Sequence, residues 1–104
     1  MSKELQNNAR KKEYKRAVDV IGQVIRAWDP YGLLAGGAPT DEFNSEIAAV
    51  VRQIDRINSP KDAAEVISRV FASSFETDLF TPIKCFEIGE RLHAALIEQG
   101  LKKE

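Results

Sequence analysis

A single cysteine, Cys85, leaves this chain of 104 residues with no disulfide partner of its own. That excludes a disulfide framework and fits either a reducing compartment or a buried thiol. No apolar run approaches the roughly 20 residues that span a bilayer, and the stretch through Arg16 is polar and charged, without the apolar segment of a signal peptide. A cytoplasmic location without membrane association is therefore expected. The one histidine, His93, stands eight residues from Cys85. On a helix that separation is about 12 Å, too far for a thiol–imidazole pair. A metal site would also need at least two further ligands from elsewhere. Gly36-Gly37 has no preceding strand and no Gly-Lys-Ser, so a phosphate loop is excluded. Strand-like alternation, internal repeats and low-complexity tracts are missing too. The sequence thus asks for no metal and no cofactor, marks no catalytic residue, and does not favour an enzyme.

Charge is nearly balanced overall, at −1, but it is unevenly placed. Residues 1–16 carry six Lys or Arg against Glu4 and Glu13, a net of +4, and the rest of the chain carries −5. The basic end could touch nucleic acid through Lys11, Lys12, Lys15 and Arg16. It has no interleaved aromatics and no groove-reading motif, so a solvated helical turn is the favoured reading and nucleic acid is not the expected partner.

What is present is helical spacing. Tyr14, Val18, Ile21, Val24 or Ile25, and Trp28 form one stripe of a helix that starts before residue 10 and stops at Pro30. Asp29, preceding proline, is expected to be extended, with its carboxylate free for backbone donors in the following turn. Thr40 is a suitable cap for a second helix, with Asp41 and Glu42 in its first turn and Phe43, Ile47, Val50, Ile54 and Ile57 on its inner face. Ser59-Pro60-Lys61-Asp62 starts a third helix with the buried face Ala63, Val66, Ile67, Val70, Phe71 and Phe75. A fourth, capped by Thr77 or Thr81, carries Cys85, Ile88 or Gly89, Leu92 and Leu96 up to Gly100. The reading is an all-α fold, a compact bundle of about four helices in a single domain over residues 1–104, with residues 1–9 free to be disordered.

The most informative segment runs from Trp28 to Phe43. It holds the one tryptophan, two of the four prolines and three of the six glycines, and it joins helices 1 and 2 through an ordered Trp-Asp-Pro loop. Aromatic, apolar and acidic residues gather there: Trp28, Asp29, Tyr31, Leu33, Asp41, Glu42 and Glu46. Such irregular segments commonly carry binding residues, so the favoured function is a non-enzymatic interaction module for a protein partner. The alternative is a small ligand- or cation-binding domain, or a minor enzyme, using the corner's carboxylates. Homodimerisation through Leu79, Phe80 and Phe86 is also considered.

Trp28-Asp29-Pro30-x-Gly32-Leu33, followed by Pro39-x-Asp41-Glu42-Phe43 and Glu46-Ile47, resembles the signature of the YugE-like family of short bacterial proteins of unknown function, found in bacilli and relatives. The resemblance implies a small all-helical protein and carries over no activity, cofactor or catalytic residue. Phe43 stands where tyrosine is expected. The corner also resembles those of small bacterial immunity-type proteins, which neutralise a toxin by binding it.

Overall fold

A computed structural model describes the backbone of residues 3–39, 41–76 and 78–103, and side chains from Lys12 onward within those stretches. Four α-helices account for most of these residues: α1 (Lys3–Trp28), α2 (Asn44–Arg52), α3 (Pro60–Ser74) and α4 (Phe86–Glu98). Consecutive helices pack side by side and α4 returns to α1, which makes a four-membered ring around the core. The expected caps at Thr40 and Thr77 fall outside the described residues.

α1 buries Ala17, Ile21 and Ile25 at fourfold spacing. Tyr14, expected on that stripe, is instead exposed, because the core begins one turn later. The helix closes when the Asp29 amide donates to the Ile25 carbonyl at 2.9 Å, since Pro30 has no N–H to continue the ladder. Asp29 is not extended: its φ of 45° and ψ of 64° are left-handed. A left-handed residue after the last turn reverses the chain, and aspartate is among the few non-glycine residues that tolerate it.

α2 is shorter than the apolar spacing suggested. It starts at Asn44 after a turn in which the Asn44 amide donates to the Asp41 carbonyl. Asp41 and Glu42 therefore precede the helix, and they do not sit in its first turn. The helix stops at Arg52, and a 3-10 turn, Ile54–Arg56, carries Ile57 into the core with an extended backbone. Ile57 keeps the burial its spacing promised without being helical.

At the start of α3, the Asp62 amide donates to Ser59 Oγ at 3.1 Å, and the Asp62 carboxylate accepts from the Asn58 amide at 3.0 Å. One amide left over by the helix start, that of Asp62, and the Asn58 amide just before the cap are thereby satisfied. Thr81 does not cap α4: the helix starts at Phe86, with Cys85 at its cap position, and the Thr81 hydroxyl accepts from the Lys84 amide at 3.2 Å in the turn that leads to it. Beyond α4, Gly100 at φ 72° lets the Leu101 amide return to the Leu96 carbonyl at 2.8 Å, a left-handed helix stop at the position expected for it.

Among the helix pairs, α3 and α4 share the most extensive contact. A side chain on Gly89 would stand 2.7 Å from the Ala64 nitrogen and 2.8 Å from the Pro60 carbonyl oxygen, so these two backbones touch where only glycine fits.

Candidate functional site

Six of the chain's eight aromatic residues meet at one end of the bundle. Trp28, half-buried at the end of α1, stands edge-on to Phe71 at 5.1 Å and to Phe80 at 5.9 Å. Phe71, in the last turns of α3, and Phe75, the residue that caps it, stack at 5.9 Å and 12°. Phe43 is fully buried and reaches Phe71 at 6.2 Å, an apolar niche that suits phenylalanine where tyrosine would need a partner for its hydroxyl. Phe80 joins Trp28, Tyr31, Phe71 and Phe75, and its carbonyl accepts a hydrogen bond from the buried Ser68 hydroxyl.

Tyr31 is the ring this cluster presents outward. It is 55% exposed and lies edge-on to Phe75 and Phe80, both at 5.5 Å. Its backbone is left-handed, φ 64° and ψ 3°, between Pro30 and Gly32. That conformation costs a non-glycine residue on the order of 1 kcal/mol, and the two edge-to-face contacts offset it. The ring therefore stands on a packed aromatic base.

The carboxylates do not gather as the sequence suggested. Asp29 accepts from the Leu34 amide at 2.9 Å through one oxygen and from the Ala35 amide at 3.0 Å through the other, so its charge holds the loop. Asp41 and Glu42 are exposed in the turn before α2. Glu46, on the helix proper, is only 9% exposed, and its Oε2 has no partner among the described residues. Glu42 and Glu46 do not share a helical face, because the helix starts after Glu42. No three His, Cys, Asp or Glu side chains among the described residues come together as a metal site would require.

Leu33 is half-buried and packed against the core. Of the expected apolar strip Leu79, Phe80 and Phe86, the outer two are exposed and Phe80 is turned inward at 8%. Phe80 belongs to the aromatic node because the Ser68 hydroxyl draws its backbone onto α3. Ile83, which the sequence reading passed over, is 89% exposed beside Phe86 and Pro82. Its position after Pro82, in the turn leading to α4, was the available signal. Cys85 is 1% exposed, and burial pushes its thiol up from the ordinary range. The His93 Nε2 is buried without a partner among the described residues. Lys12, Lys15 and Arg16 are exposed, while the Lys11 side chain lies outside the described residues. No helix among the described residues is long and apolar enough to cross a membrane.

Residues 20–99 match the model of a family described as a domain of unknown function (DUF1871). No curated protein and no solved structure matches the chain.

Proposed function

Taking as premise that the chain belongs to the DUF1871 family, a domain of unknown function, we propose that it is a non-enzymatic interaction module whose aromatic corner captures a protein partner. The narrower kinship with YugE-like proteins of bacilli, a cytoplasmic location, a single-domain organisation and an immunity-like or regulatory role belong to the same reading. The observation that carries it is Tyr31: a half-exposed ring, held in a costly backbone conformation, on a base of buried rings. Strain of this kind persists where the surroundings over-determine it and is frequent at functional positions. A rigid tyrosine offers contact area at little entropic cost and is enriched among binding hot spots. Asp41 and Glu42, exposed on the neighbouring turn, add negative charge, so the partner surface is basic around an apolar recess. Trp28 packs edge-on to Phe71 and Phe80 and Leu33 packs against the core, Asp29 shapes the loop, and Glu46 is withdrawn from the surface.

The test is Tyr31→Asn, which removes the ring while leaving a residue that favours the left-handed region. Cross-linking in cells followed by quantified recovery of the bound partner is expected to fall at least tenfold, the size of a hot-spot loss of about 1.4 kcal/mol or more. Recovery equal to that of the wild type, with the variant folded by circular dichroism, refutes the reading. Self-association is a second reading, favoured by the exposure of Leu79, Ile83 and Phe86. Sedimentation showing a monomer at every concentration removes it.

A further inference from the structure

We propose that a second site, the cleft where the packed part of α1 meets the turn after α4, binds a small zwitterion with an apolar body: an α-amino acid carrying an aliphatic or aromatic side chain. The cleft measures about 330 Å³, at the small end of the roughly 300–1,000 Å³ typical of ligand sites. Tyr14 on its wall and Trp28 at the corner are 14 residues apart on α1, about 21 Å, so the two sites are separate.

The floor is apolar, formed by the buried Ala17 and Val51 with the half-buried Leu101. Tyr14 stands beside it with its ring half exposed. Two cations are tethered on the lining. The Arg16 guanidinium donates to the Gln99 carbonyl, and Lys102 Nζ donates to the Ile54 carbonyl at 3.3 Å. Each is positioned by a backbone oxygen and keeps further N–H groups for a ligand, since a guanidinium has five donors and an ammonium three. Glu13 and Asp55 line the same cleft. Among the described residues neither forms an ion pair with Arg16 or Lys102 within 4.0 Å.

A cleft with unpaired charges of both signs around an apolar floor suits neither a simple anion nor a simple cation. A simple anion meets the carboxylates, and a simple cation meets Arg16 and Lys102. A zwitterion satisfies both sets at once. Its carboxylate faces Arg16 and Lys102, in the charge-assisted geometry that favours guanidinium. Its ammonium faces Glu13 and Asp55, and its side chain lies on the floor against Tyr14, whose ring face also attracts a cation. Residues 13–17 and 101–102 lie outside the stretch that the family matches, while Val51, Ile54 and Asp55 lie inside it.

The experiment is a titration of the intact chain with L-phenylalanine and L-leucine, followed through its backbone amide NMR signals. Saturable shifts confined to residues 13–17, 51–55 and 99–102 are expected, with Kd in the millimolar range or tighter, about −4 kcal/mol or better. N-acetyl-L-phenylalanine, without the ammonium, and L-phenylalaninamide, without the carboxylate, should each bind at least tenfold more weakly. Asp55→Asn and Lys102→Gln should each weaken L-phenylalanine at least fivefold. Absence of saturable shifts, binding of either blocked compound as tight as that of L-phenylalanine, or shifts centred on Tyr31 would each overturn the proposal. Because the blocked compounds are compared on the unaltered chain, a variant that fails to fold leaves the test intact.

Discussion

Replacing Gly89 by alanine is expected to destabilise the fold, although at an ordinary helical position the same change would strengthen it. Glycine inside a helix is about 1 kcal/mol less favourable than alanine, so propensity alone predicts a gain. Here the new methyl would meet the Ala64 nitrogen at 2.7 Å, the Pro60 oxygen at 2.8 Å and the Ala64 Cα at 2.9 Å, against an ordinary contact of roughly 3.5–4 Å. All three atoms are backbone, so α3 and α4 must separate, loosening the contacts of Ile67 and Phe71 with the rest of the core. Overpacking of this kind costs about 1–3 kcal/mol, and the displacement of a whole helix puts it at the upper end. After the propensity gain is subtracted, a net loss of about 1–2 kcal/mol remains, or roughly 5–15 °C in Tm for a domain of this size.

Gly22→Ala supplies the control, since it makes the same chemical change in α1. Its methyl would meet the guanidinium of Arg26 at 2.7 Å, the far end of a flexible side chain that can swing away. The move disturbs the Arg26–Asn44 hydrogen bond of 3.2 Å, worth about 0.5–1 kcal/mol at an exposed site and so no more than the propensity gain. Tm should therefore hold or rise by a few degrees. Thermal unfolding followed by circular dichroism measures both variants. A Gly89→Ala protein as stable as the wild type, or a Gly22→Ala protein that falls equally far, would refute the backbone-contact argument.

Two further outcomes follow from the site and the core. Asp29→Ala removes the acceptor of two loop amides and leaves alanine at a left-handed φ, so a loss of about 2 kcal/mol is expected, with Asp29→Asn losing roughly half as much; urea midpoints at constant slope check this. Burial raises the Cys85 thiol, so the folded chain holds that proton more tightly than the unfolded one. Below the unfolded thiol's pKa of about 8.5 both states are protonated and this stability is fully present; as pH rises through the folded pKa it is lost. Tm should therefore decline above about pH 8.5 more steeply in the wild type than in Cys85→Ala, and parallel curves would contradict the assignment.

Much of the architecture was legible because its signals are local. Ser59-Pro60-x-Asp62 announces a helix start through bonds made within four residues, and the structure shows them. The inner faces of α3 and α4 follow from spacing, as does the stop at Gly100. Less of the candidate site was legible. Asp29 could be recognised as a turn carboxylate, but its left-handed backbone depends on where the chain must go after α1. Asp41 and Glu42 looked helical because the pattern from Phe43 to Ile57 is periodic, and periodicity does not mark the residue at which hydrogen bonding begins.

Caps, prolines and apolar spacing act over one or two turns, so the all-α class, the succession of four helices and most of the residues they bury are written along the chain. The packing of whole helices, by contrast, set Phe75 and Phe80 under Tyr31, withdrew Glu46 from the surface, and brought Arg16 and Lys102 to one cleft. The rings that meet Tyr31 and the two cations of the cleft come from residues 44 to 86 positions apart. Their geometry depends on how closely whole helices approach, and at Gly89 that approach is set by backbone touching backbone, which no pattern along the chain records.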